Sequence, residues 1–148
     1  MSAIKIYTIG FTQKSAEQFF SKLIKAGVKK VVDIRLSNSS QLAGFAKKGD
    51  LRYFLRALGS IDYIYMPILA PNEEILTEYK KNKGDWQIYE KKFLALMEER
   101  RIENVVSPAE LDQTCLLCSE HLPEHCHRRL VAEYLKNKWG NVDIEHLV

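Results

Sequence analysis

The sequence predicts a single α/β domain over residues 1–148, with a mainly parallel central sheet of about five strands flanked by helices. Short β-rich runs alternate with helix-patterned segments from one end of the chain to the other. A length of 148 residues with 46% hydrophobic and 28% charged residues suits one core. No internal repeat, low-complexity tract or linker interrupts the pattern.

The elements follow in order. "IKIYTIG" (4–10) is a β-rich run ending in glycine and reads as a first strand. In "SAEQFFSKLIKAG" Ser15 and Gln18 form a capping box, Phe19, Phe20, Leu23 and Ile24 recur at helical spacing, and Gly27 stops the helix. "VKKVVDIR" (28–35) is the next strand, joined to the first by a right-handed crossover if the two are parallel. After the polar stretch "LSNSSQLAGFAKKG", Asp50 can cap a helix that buries Leu51, Phe54, Leu55 and Leu58 and ends at Gly59. "IDYIYMP" (61–67) is a third strand, and Pro71 with Asn72 opens a helix to about Lys81.

A longer helix follows Asp85, with Trp86, Tyr89, Phe93, Leu94 and Met97 spaced for burial. Ser107 and Glu110 cap a single turn around Pro108. "QTCLLCS" (113–119) is a fourth strand, a helix runs from Pro123, and "NVDIEHL" (141–147) is the last strand.

The net charge of +3 permits contact with phosphates but falls short of an obligate nucleic-acid binder. No apolar run is long enough to span a bilayer, and "MSAIKIYTIG" lacks the parts of a signal peptide, so a cytoplasmic protein without membrane contact is expected. Three cysteines crowded into residues 115–126 argue against a secreted disulfide framework.

In open parallel sheets the binding crevice lies at the carboxyl ends of the strands. That rule gathers Thr8, Gly10 and Thr12 from the first strand, Asp33 and Arg35 from the second, and Cys118 and Glu120 from the fourth. The helix from Pro123 adds Cys126, His127 and Arg128. Its buried face carries Leu130, Val131, Tyr134 and Leu135, which turns Cys126 and His127 inward. An inward Cys126 beside positive groups and a helix amino terminus is expected to have a depressed pKa. Plainer readings stand beside these: Cys118 suits strand packing, Asp33 with Arg35 suits a structural ion pair, and Gly10 suits a turn.

Cys115-x-x-Cys118 with His121, His125, Cys126 and His127 has the ligand types of zinc. In a strand, however, Cys115 and Cys118 leave by opposite faces, and "TCLLC" holds no glycine for a knuckle. No metal and no cofactor are therefore expected.

The motifs "YTIGFT" (7–12), "VVDIR" (31–35), "SSQLAGF" (39–45) and "LLCSEHLPEHCHRRLVAEYL" (116–135) resemble the family known as domain of unknown function 488. The resemblance places its Thr-Ile-Gly on Thr8, Ile9 and Gly10, its Asp-x-Arg on Asp33 and Arg35, its Cys-x-Glu on Cys118 and Glu120, and its Cys-His-Arg on Cys126, His127 and Arg128. Two departures stand out. Phe11 and Thr12 replace the family's usual histidine or tyrosine followed by serine, which excludes a histidine role at position 11 and keeps a hydroxyl at Thr12. The proline common near Asn38 is missing. The resemblance implies a fold and a site rather than a reaction, and Cys115 is no part of its pattern.

Chemistry suggests an enzyme acting on an anionic substrate: a nucleotide, a nucleic acid or another phosphate-bearing molecule. Arg35 and Arg128 would bind the anion, with Thr8, Gly10 and Thr12 lining the site. Glu120 or His127 would move protons, Cys118 or Cys126 would be the nucleophile, and Asp33 completes the candidate catalytic set. "GFTQKS" has too few glycines for a phosphate loop. The alternative is a non-catalytic module that binds nucleic acid or nucleotide with Lys47, Lys48, Arg52, Phe45, Tyr53 and Tyr63. A rhodanese-like sulfur carrier ranks lower, because no cysteine-led loop closes on an arginine.

Overall fold

The computed structural model describes residues 3–36, 48–81, 84–119 and 122–148. Strands β1 (Ile4–Gly10), β2 (Lys30–Asp33), β3 (Asp62–Tyr65), β4 (Thr114–Cys118) and β5 (Val142–Leu147) form one sheet in the order β3-β2-β4-β1-β5. Every pairing is parallel. The expected fold class is the observed one.

Helices cover both faces, as a parallel sheet requires. On one face α1 (Ala16–Ala26) and α2 (Lys48–Gly59) enclose a core of Phe19, Leu23, Val31, Leu51, Leu55, Cys115 and Leu117. On the other lie α3 (Glu73–Lys81), α4 (Trp86–Arg100), the short α5 (Ile102–Val105) and α6 (Pro108–Leu111), and α7 (His127–Trp139), over Ile6, Val32, Ile34, Phe93, Met97 and Leu130. No helix among the described residues is long and apolar enough to cross a membrane.

Local signals hold at several ends. Ser15 and Gln18 close the capping box of α1, and Gly27 ends it in the left-handed conformation at φ 78°. Ser107 and Glu110 repeat the box at α6, and Asp85 caps α4 by accepting from the amides of Gln87 and Ile88. Other boundaries differ from expectation. Helix α2 starts at Lys48, so Asp50 sits inside its first turn, where a carboxylate still favours the positive helix end. Leu51 and Leu55 are buried, but Leu58 is 56% exposed and lines an open groove with Phe20 and Ile24 of α1. The third strand stops at Tyr65, where Pro67 begins a 3-10 turn to Leu69. Helix α5 carries no sequence capping signal and follows Arg101 in the left-handed region at φ 51°.

The largest shift concerns the site. Helix α7 begins at His127, four residues after Pro123, with Cys126 as an extended N-cap at φ −137°, ψ 137°. The Cys126 amide instead closes a turn onto the Pro123 carbonyl at 3.2 Å. The chain leaves β1 through α1 toward β2 on one side of the sheet and leaves β4 through α7 toward β5 on the other. Adjacent β1 and β4 therefore form the topological switch point, the place where open sheets bind ligands.

Candidate functional site

Register gathers the expected residues. Gly10 lies opposite Cys118 across β1 and β4, and Asp33 lies opposite Leu117 across β2 and β4, so three strand ends meet within single strand spacings of about 4.8 Å. Past the strands, Thr12 ties the junction by donating its hydroxyl to the Ser119 carbonyl at 2.7 Å.

Strand alternation splits the thiols. Cys115 packs in the core under α1 and α2, while Cys118 points to the opposite face and meets the first residue of α7. The Cys118 Sγ lies 3.3 Å from His127 Nδ1. His127 Nε2 lies 2.6 Å from the Ile34 carbonyl. A carbonyl only accepts, so Nε2 carries the proton and Nδ1 is the nitrogen left to accept; the Cys118 Sγ lies beside the ring, 3.3 Å from Nδ1 and 3.7 Å from Nε2. The end of β2 thus sets the tautomer that a thiol base needs. Cys126 joins them: it hydrogen-bonds Cys118, and Cys118, Cys126 and His127 present ligand atoms all within 4.8 Å of one another. All three are buried, at 5%, 2% and 7% exposure.

The expectation of a depressed Cys126 pKa is overturned. Burial pushes this thiol well above its ordinary value and the hydrogen bond with Cys118 pushes the same way, against weaker opposing effects of His127 and Arg128. Desolvation wins because the Cys126 side chain, though at a helix amino terminus and at the cavity edge, is only 2% exposed.

Asp33 and Arg35 form a bidentate ion pair, with Nε to Oδ1 at 2.9 Å and Nη2 to Oδ2 at 2.8 Å. The Tyr63 hydroxyl donates to the same Oδ2 at 2.6 Å, and the Arg35 amide donates to Oδ1 at 3.2 Å. With its oxygens so engaged and no exposure, Asp33 orients Arg35. The guanidinium also lies over the Phe11 ring, 5.3 Å from its centroid. Arg128, fully buried in the first turn of α7, donates Nε to the Thr8 hydroxyl at 3.1 Å. That hydroxyl is 2.6 Å from His146 Nδ1, so Thr8 links Arg128 to β5. Burial, aided by the Arg128 charge, lowers the His146 pKa and so favours the neutral ring. Lys14 lies within the field of Arg128, and burial first, then that charge, bring its pKa down to about 8. Glu120 and the segment "SSQLAGF" lie outside the described residues.

A cavity of about 280 Å³ opens over this cluster. Arg35, Cys118, Cys126 and His127 form its polar end, and Tyr79, Trp86, Tyr89 and His125 form an aromatic wall. Trp86 stacks on Tyr89 at 4.8 Å and on His125 at 5.1 Å, both at 19° between planes. Its indole Nε1 is buried with no hydrogen-bond partner among the described residues. The sequence assigned Trp86 and Tyr89 to packing, offered Tyr63 only to a nucleic-acid-binding module and His125 only to a zinc site, and gave no role to Tyr79 or His146. His146 was within reach of the strand-end rule, since it pairs with Thr8 near the end of β5. Tyr63 and the aromatic wall needed the tertiary fold.

Fold and site together define an open parallel α/β domain with a thiol–imidazole cluster at its switch point. Residues 15–135 match the family described as Domain of unknown function DUF488, and the chain belongs to that family. Neither a curated protein nor a solved structure matches the chain.

Proposed function

We propose that this chain is a thiol-dependent enzyme acting on an anionic substrate that carries a flat ring, of which nucleotides are the natural class. Cys118 is the nucleophile and His127 takes its proton. The observation that carries the reading is the 3.3 Å approach of Cys118 Sγ to His127 Nδ1, with Nε2 held on the Ile34 carbonyl. Arg35, preset by Asp33, offers charge at the cavity wall, Arg128 and Lys14 add positive field behind it, and the stacked rings of Trp86, Tyr89 and His125 form an apolar aromatic wall beside it. None of the three cysteines is in a disulfide, which suits a reducing compartment such as the cytoplasm.

Residue-resolved alkylation of the folded, chelator-treated protein tests this. Cys118 is expected to react well ahead of Cys115 and Cys126, and His127→Gln to slow it at least tenfold at neutral pH. A Cys118 that reacts no faster than the core thiol Cys115 overturns the assignment.

A separate observation favours a second reading, the nucleic-acid-binding module. A cleft of about 440 Å³ on the α2 side is lined by Arg52, Tyr53, Arg56 and Tyr63, and Arg52 lies over the Tyr63 ring at 5.6 Å. Binding of single-stranded oligonucleotide that weakens steeply with salt, is lost in Arg52→Ala and is unchanged in Cys118→Ser would select it.

A further inference from the structure

The sequence argument against zinc concerns Cys115 with Cys118, and strand alternation does separate that pair. The fold brings together a different trio. Cys118 ends β4, Cys126 caps α7 and His127 begins it, and their ligand atoms lie within 4.8 Å of one another. We propose that Cys118, Cys126 and His127 form a three-ligand site for a thiophilic divalent cation, zinc by preference, with its fourth position open to the aromatic-walled cavity.

Three observations support it. Tetrahedral zinc holds thiolate sulfurs about 3.8 Å apart and a sulfur and an imidazole nitrogen about 3.6 Å apart. Here Cys118 Sγ and His127 Nδ1 are 3.3 Å apart and no edge of the triangle exceeds 4.8 Å, so each edge lies within about 1 Å of the spacing a tetrahedral ion needs or is shorter. His127 also already has the outer contact of a metal-bound histidine: its other nitrogen donates to the Ile34 carbonyl at 2.6 Å, which leaves Nδ1, 3.3 Å from Cys118 Sγ, as the nitrogen available to a cation. Finally, all three ligands line the cavity, so a water or a substrate atom can reach the remaining position. Two cysteines and one histidine plus an open position is the pattern of a catalytic rather than a purely structural zinc.

Binding balances simply. One divalent cation displaces the protons of two thiols to solvent and keeps the neutral imidazole, leaving a site of no net charge. The inference concerns the same site as the proposed thiol chemistry and gives it a second state: a bound cation occupies both Cys118 Sγ and His127 Nδ1, so the loaded protein is silent as a thiol nucleophile.

The test uses the full chain, reduced and chelator-treated, with Zn²⁺ and then Co²⁺ as probes. One Zn²⁺ per chain, bound more tightly than micromolar near pH 7, is expected, together with thiolate-to-cobalt charge-transfer bands and a tetrahedral visible spectrum for Co²⁺. Zn²⁺ should protect Cys118 and Cys126 from alkylation while the protein stays folded. Cys118→Ser and Cys126→Ser should each weaken binding at least a hundredfold, and Cys115→Ala should leave it unchanged. Uptake that survives Cys126→Ser, octahedral cobalt without thiolate bands, or no stoichiometric binding overturns the proposal. The cobalt spectrum of the unsubstituted protein is decisive even if a variant misfolds. Fast Cys118 alkylation in the metal-free protein without zinc uptake would sink this inference and leave the nucleophile standing. Zinc uptake with an inert Cys118 would do the reverse.

Discussion

At the scale of single residues, the site depends on how buried charge is held. Asp33 accepts from Arg35 at both oxygens and from Tyr63, with the carboxylate fully enclosed and the guanidinium side chain 4% exposed. Removing one member of such a pair leaves the other charge buried and uncompensated, a loss of about 3–5 kcal/mol. Asp33→Asn should therefore destabilise the fold by that amount in urea unfolding. Tyr63→Phe, which removes one hydrogen bond to a charged acceptor, should cost about 1.5–3 kcal/mol. If Asp33→Asn proves neutral, Arg35 has another counter-charge and the orienting role fails. Cys126 shows the same principle applied to a thiol. Proximity to positive groups does not by itself lower a thiol pKa, and at Cys126 desolvation outweighs it.

Elements carry the next level, because the clustered side chains of the candidate site are positioned by element ends. Helix α1 begins with a full capping box at Ser15 and Gln18, and α6 with another at Ser107 and Glu110. Replacing either serine by alanine removes the cap, and each change should lower stability by about 1 kcal/mol by thermal or urea melts. Ser107→Ala should act on stability alone, whereas a change in Cys118 alkylation rate in that variant would show that α6 helps set the end of β4. Helix α7 starts differently. Its N-cap, Cys126, makes no side-chain hydrogen bond to the first turn. The Cys126 sulfur is instead given over to the site, so Cys126→Ser, with a hydroxyl that can cap, should hold or raise stability while altering the thiol cluster. A clear loss of stability in Cys126→Ser would mean that packing dominates there.

For the whole molecule, buried titrating groups set an alkaline limit. Burial raises Cys115 and Cys126 far above their ordinary values, so between about pH 9 and strongly alkaline conditions the unfolded chain releases thiol protons that the folded chain keeps. Stability contributed by these thiols is complete below the unfolded pKa near 9 and falls as pH rises past it. Lys14 works with the opposite sign. Its folded value is about 8 against an ordinary 10.5, so between those values the unfolded chain binds the extra proton and stability rises with pH. Two thiols against one half-exposed lysine leave a net decline above pH 9. Denaturation measured from pH 7 to 10.5 should show this decline. Cys115→Ala should flatten it by about 1.4 kcal/mol per pH unit, one proton's worth. An unchanged slope would mean that Cys115 ionises in the folded state.

What the sequence determined by itself is local. Apolar spacing, caps and glycine stops placed the strands and most helices, because these signals act between residues two to four positions apart. Strand alternation separated Cys115 from Cys118, and the strand-end rule assembled Thr8, Asp33, Arg35, Cys118, Cys126 and His127 at one end of the sheet. Only the tertiary structure decided how those residues engage. The strand order puts β4 between β2 and β1, which lets the Ile34 carbonyl reach His127 across 93 positions of sequence and fix its tautomer. It also closed Asp33 with Tyr63, put Cys126 at the cap of α7 rather than inside a helix running from Pro123, and brought Trp86 and Tyr89 over the thiols. Periodicity shows which face of an element is buried, but not against what. That choice belongs to the packing of elements distant in sequence, and at this site it sets the chemistry.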